Sequence, residues 1–189
     1  MMTQREALEI LAPHRRNSIV VSTMSAAGIW PTLSDTPLDF AYLPSSMGQG
    51  IALGLGLALA QPTRAVIVLM GDGSLLMNLG SLVTVANYPT NLRVLLLENG
   101  LYEVTGGQTV VGAGQTNFVG LARSAGIARV YRFEDVEGWK AGIAEVLNGP
   151  GPMFVWLKVA GERSQKTPLP PRPMAEQISR LRSALSVTS

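Results

Sequence analysis

Asp72 and Asn99, 27 residues apart, carry side-chain oxygens that can converge on one hard cation. Asp72 lies in Gly71-Asp72-Gly73-Ser74, directly after the apolar run VIVLM, and Asn99 follows the run VLLLE. Mg²⁺ takes few protein ligands in near-octahedral geometry and shares its shell with phosphate oxygens, so one carboxylate, one amide and one backbone carbonyl would suit it. Gly71 and Gly73 permit close backbone approach, and the amides of Gly73 and Ser74 open a helix whose N-terminus favours a diphosphate. Each piece alone has a plainer reading, since GDGS and Asn99-Gly100 are both common as turns. Their placement at the ends of two apolar strands joins them into a site.

A fold must bring those strand ends together. Thr3 and Glu6 form a capping box that predicts a first helix running to about Pro13, followed by a buried strand at 18–22. Residues 23–45, with Gly28 and several prolines, read as one long loop. Small and apolar residues at 47–60 predict a helix packed closely on a sheet or a ligand. Strands are predicted at 65–70, 92–97, 129–133 and 153–159, and helices at 75–87, 116–125, 136–147 and 174–185. Alternating strands and helices, with runs apolar on both faces, specify an α/β fold: a doubly wound, mostly parallel sheet with helices on both faces. One domain is expected over 1–165, with the Pro-rich TPLPPRP linker and a C-terminal helix over 166–189.

Composition narrows the function. The chain has 189 residues, 47% hydrophobic and 15% charged, with a net charge of +2, and its Lys and Arg are scattered without interleaved aromatics. That excludes a nucleic-acid footprint and points to an oligomer. It has no cysteine, so thiolate nucleophiles and thiolate-ligated clusters are absent. The first residues lack the basic-then-apolar order of a signal peptide, and no apolar run is long enough to span a bilayer, so a cytoplasmic protein without a membrane partner is expected. His14, the only histidine, stands beside Arg15 and Arg16 at a helix end and reads as complementing that terminus.

GDG followed at this spacing by Asn at the end of an apolar strand resembles the diphosphate-binding domain of thiamine-diphosphate enzymes. The resemblance implies that Asp72, Asn99 and the carbonyl of Leu101 bind Mg²⁺, and that Gly71, Gly73 and Ser74 hold the diphosphate. Upstream, SSMGQGIALGLGLALA resembles the family segment that bends the cofactor. Met47 takes the wedge position, bringing the 4′-amino group to the thiazolium C2 where a proton leaves. Ser45, Ser46 and Met47 would meet the aminopyrimidine, chiefly through the backbone of Ser45 and Met47. ENGLYEVTGGQ resembles the stretch after the metal-binding Asn in phosphonopyruvate and sulfopyruvate decarboxylases. It makes Tyr102, Glu103, Thr105 and Gln108 candidates to line the reaction pocket, with Tyr102 also at the cofactor, although each could equally belong to a solvated loop.

The resemblance also implies something missing. Family members need a pyrimidine-binding domain that brings a glutamate to N1′, and this chain has no room for one. A separate pyrimidine-binding α subunit is therefore expected, in a hetero-oligomer such as α2β2 or larger, with this chain similar to the β subunit of sulfopyruvate decarboxylase. The implied activity is non-oxidative decarboxylation of a small 2-oxo acid, lost without the partner. No Lys or Arg lies between Ile19 and Arg64, so this stretch offers no cation to a dianionic substrate. Two alternatives are carboligation, in which a second carbonyl is attacked instead of a proton taken up, and cofactor binding without catalysis.

Overall fold

The computed structural model describes residues 1–43, 46–162 and 168–186. Its strands are β1 (Ile19–Thr23), β2 (Asp39–Tyr42), β3 (Val66–Gly71), β4 (Leu92–Glu98), β5 (Leu101–Tyr102), β6 (Gln108–Thr109), β7 (Arg129–Phe133) and β8 (Met153–Lys158). Its helices are α1 (Gln4–Leu11), α2 (Ala26–Ile29), α3 (Gly50–Ala60), α4 (Asp72–Leu76), α5 (Gly80–Ala86), α6 (Phe118–Ser124), α7 (Val136–Asn148) and α8 (Met174–Ser186). Six strands form one sheet in the order β2-β1-β3-β4-β8-β7, every neighbouring pair parallel. β5 and β6 make a separate antiparallel hairpin.

Continuous apolar strands need cover on both faces. Val68, Met70, Val94 and Leu96 pack on one face with Ile51 and Leu55 of α3, Leu82 and Val85 of α5, Phe118 of α6 and Leu181 of α8. Ile67, Leu69, Leu95 and Leu97 pack on the other with Leu8 and Leu11 of α1, Ala26 of α2, and Trp139 and Ile143 of α7. Trp139 Nε1 donates to the Ala7 carbonyl at 3.0 Å, tying α7 to α1. Thr3 and Glu6 form the expected capping box. The close packing expected of the glycine-rich helix holds at Gly50 and Gly54: a Cβ at Gly54 would lie 2.3 Å from Val68 Cγ2. Gly56 instead faces open space.

Two expectations fail. The long loop predicted over 23–45 contains α2, a tight turn at Trp30–Thr32, and the edge strand β2. Four residues after a proline carry too little periodicity to announce a strand. Tertiary contacts make it: Phe40 and Ala41 are buried, Trp30 Nε1 and Ser34 Oγ donate to Asp39, and Gln177 of α8 accepts the Ala41 N–H at 2.9 Å. The single helix predicted over 75–87 is two helices, interrupted between Leu76 and Gly80. Asn78 sits in the break, and its side chain bonds outward to Gly48 instead of leaving a regular helix intact. Among the described residues no helix is long and apolar enough to cross a membrane.

Candidate functional site

From β1 the chain runs outward to β2, then returns across β1 to begin β3 on its other side. Such a reversal opens a crevice beyond the carboxyl ends of the two diverging strands, the usual seat of a ligand in a doubly wound sheet. Met24, Ser25 and Ala26 after β1 line a cleft with Gly71 at the end of β3 and Gly73 and Ser74 of α4, with Leu97 of β4 and Asn99 just after it beside them. Met47, Gln4 and residues 101–105 complete this cleft of about 440 Å³.

Asp72 opens α4 at the edge of this cleft and is 1% exposed. Its Oδ2 accepts the Gly100 N–H at 3.0 Å, while its Oδ1 is buried without a hydrogen-bond partner. Burial pushes the carboxyl above its ordinary range; the N–H groups of Gly100 and Gly73 pull it back, and the charge of Glu98 adds to the rise. A buried carboxylate oxygen with no donor is costly unless a cation meets it. The orphan oxygen therefore fits the Mg²⁺ that the motif implies. Asn99 lies close by: Gly71 pairs with Leu97 in the sheet, and Asn99 follows two residues later. Its Oδ1 accepts the Leu101 N–H at 2.9 Å, and Gly100 makes the turn at φ +74°. Among the described residues no group of three or more His, Cys, Asp and Glu could hold a metal, so an ion here would rest on a carboxylate, an amide and a carbonyl.

The Met47 turn is fastened to α4. Gly48, at φ +73°, donates its N–H to Ser74 Oγ at 2.9 Å, and its carbonyl accepts from Asn78 Nδ2 at 2.9 Å. Ser74 thus accepts from the Met47 turn and keeps its hydroxyl proton to donate. Met47 is 41% exposed at the cleft mouth, and Ser46 is fully buried with its hydroxyl unpaired. Ser45 lies outside the described residues. A Cβ at Gly73 would fall 2.4 Å from the Tyr102 ring. This glycine admits the tyrosine, a contact its place in the motif does not announce.

Tyr102, Glu103 and Thr105 line the cleft. Gln108 does not: it is exposed on the hairpin opposite Tyr102, with Oε1 3.5 Å from Thr105 Oγ1. Gln4, Met24, Ser25, Ala26 and Asn78 belong to no site motif of the sequence. Only Asn78, a lone polar residue in the run LLMNLG, gives a local signal. Glu98 is buried next to the site, with Trp156 Nε1 and Lys158 Nζ (2.6 Å) donating to its carboxylate. His14 is exposed in the tight turn after α1.

Residues 21–157 match the family described as thiamine pyrophosphate enzyme, C-terminal TPP binding domain. The chain is 38% identical over 161 residues to phosphonopyruvate decarboxylase of Streptomyces viridochromogenes, covering 83% of this chain and 40% of that one. It is 38% identical over 162 residues to sulfopyruvate decarboxylase subunit beta of Methanothermobacter thermautotrophicus, covering 84% of this chain and 83% of the subunit. The fold is similar to that of benzoylformate decarboxylase from Polynucleobacter necessarius, with a TM-score of 0.71 at 18% identity over 86% of this chain and 34% of that one.

Proposed function

The chain belongs to the thiamine pyrophosphate enzyme family, with thiamine diphosphate as its cofactor, and from that premise we propose that it is the cofactor- and Mg²⁺-binding subunit of a two-subunit 2-oxo acid decarboxylase. The observation that carries the reading is the buried, unpartnered Oδ1 of Asp72 beside the turn that bears Asn99 and Leu101. Asp72, Asn99 and the Leu101 carbonyl would hold the ion, and Gly71, Gly73 and Ser74 the diphosphate. Bound there, the cofactor supplies a carbon nucleophile for a 2-oxo carbonyl and an electron sink as CO₂ departs. Met47 would support its bend, and Tyr102 would wall the cleft over Gly73.

Two observations support a separate partner chain. Among the described residues, Glu103 and Tyr102 are the only ionisable side chains lining the cleft, and the Glu103 carboxylate is already engaged by three donors. The group that activates the cofactor would therefore come from elsewhere. In addition, Leu59 of α3 and Val83 of α5 are about half exposed, as are Met77 and the mouth residue Met47, and neither helix carries a charged residue. Helices apolar on their outer side are normally covered. The chain spans 40% of the phosphonopyruvate decarboxylase and 83% of the protein named as a beta subunit, so the same domain occurs within a longer chain and as most of a subunit.

The test is reconstitution. The purified chain with thiamine diphosphate and Mg²⁺ should release CO₂ from 2-oxo acids only at background rate, and adding the pyrimidine-binding chain should bring enzyme-like turnover with one aldehyde per CO₂. Turnover by the chain alone would overturn the two-subunit reading, and a condensed product in place of aldehyde would make it a carboligase.

A further inference from the structure

Glu103 is a sequence candidate to act on substrate, and its surroundings give it a different task. Its Oε2 accepts the Ser25 hydroxyl at 2.6 Å and the Gln4 amide at 3.0 Å, and its Oε1 accepts the Glu162 backbone N–H at 2.8 Å. Three of the roughly four acceptor positions of a carboxylate are thus taken. The donors lie 78, 99 and 59 residues away along the chain. One side chain therefore joins the start of α1, the turn after β1 and the stretch after β8 to the tight turn that follows β5.

Two of these segments, Met24–Ala26 and Leu101–Thr105, line the cleft side by side, joined by the Ser25–Glu103 bond. Met24 has φ +50°, a conformation a non-glycine residue keeps only where its surroundings impose it. The next residue, Ser25, is the one fastened to Glu103. Gln4 is buried, its amide nitrogen bonded to Glu103 and its Oε1 without a partner.

We infer that Glu103 is a positioning residue for the cofactor: it sets the Met24–Ala26 turn and the Leu101 carbonyl at a fixed separation before thiamine diphosphate arrives. The inference rests on the reading that this cleft holds that cofactor with Mg²⁺. Hydrogen bonds to an ionised carboxylate are the stronger kind, and a site held in its bound geometry loses less freedom on binding.

The experiment is calorimetric titration of the chain with thiamine diphosphate in saturating Mg²⁺, with a thermal melt of each protein. Glu103→Ala should weaken binding roughly tenfold or more, and Ser25→Ala by several-fold. The double variant should bind no more weakly than Glu103→Ala, because both act through one bond. Glu103→Gln, which keeps an acceptor for Ser25, should fall between wild type and Glu103→Ala. A purely structural strut would lower the melting temperature and leave the dissociation constant of the folded protein unchanged; that result, or additive losses in the double variant, overturns the inference. If Glu103→Ala does not fold, the Ser25→Ala affinity decides, with wild-type affinity as the contrary result. Failure of the wild type to bind would instead overturn the reading beneath.

Discussion

The two walls of the cleft are held by different means. Met47–Gly48 and Gly71–Ser74 form a wall built more locally, from one strand-to-helix turn and two bonds to Gly48, spanning 26 and 30 residues, from α4 and the break after it. Met24–Ala26 and Leu101–Thr105 form a wall assembled from segments distant in the chain that meet at Glu103. A short sequence motif can specify the first wall, whereas the second exists only once the sheet order has brought its parts together. Changes on the local wall should therefore strike the metal and diphosphate directly, and changes on the assembled wall should act through geometry.

The largest effect is expected at Asp72. Asp72→Ala should lower Mg²⁺-dependent cofactor affinity by more than about a hundredfold, beyond the loss typical of a residue that only supports a metal ligand. Asp72→Asn should do the same and also stabilise the cofactor-free chain. Because burial raises this carboxyl, the folded state binds its proton more tightly than the unfolded state. The penalty on the ionised form is absent at low pH and appears as pH rises through the ordinary carboxylate range and up to the raised folded value. Asparagine removes it, and the melting temperature at pH 7 should rise by a few degrees, about 1 kcal/mol.

Gly73→Ala comes next, because its Cβ would enter the Tyr102 ring where the two walls touch. Overpacking of this kind costs about 1–3 kcal/mol, and affinity should fall roughly tenfold. Tyr102→Ala in the same chain should recover the stability but not the whole affinity, which melts and titrations of the double variant would read. Asn78→Ala removes one bond to Gly48 and should cost about 1 kcal/mol, a several-fold loss of affinity confined to the local wall.

The smallest effect lies outside both walls. Arg172 and Arg180 donate to Asp35, and the Arg172 hydrogen bond holds this carboxyl below its ordinary range. The stabilisation is present above the ordinary carboxylate value and is lost as pH falls through the depressed one. Hydrogen exchange in α8 should rise in acid, and Asp35→Asn should reproduce this at neutral pH without altering cofactor affinity. An affinity change in that variant would mean that the C-terminal helix reaches the cleft.

The same contrast explains what could be read in advance. The alternation of apolar runs with helical spacing is local, so the parallel sheet and most helices are legible, as is the meeting of Met47, Ser74 and Asn99 at one cleft with Asp72 at its edge. β2 is not, because Trp30, Asp39 and Gln177 make it a strand and none of them signals this from its own neighbourhood. Ser25 and Gln4 are ordinary polar residues until Glu103 lies beside them. Gln108 shows the converse: it belongs to a recognisable stretch, yet it is exposed and does not line the cleft.

Thiamine diphosphate should bind this cleft through an ion held by Asp72. Titrating the wild-type chain with thiamine diphosphate in Mg²⁺, then after chelation, then with Asp72→Ala, tests it directly. One site per chain should appear in the first titration and no measurable binding in the other two. Equal binding without Mg²⁺ or without Asp72, or none to the wild type, would contradict it.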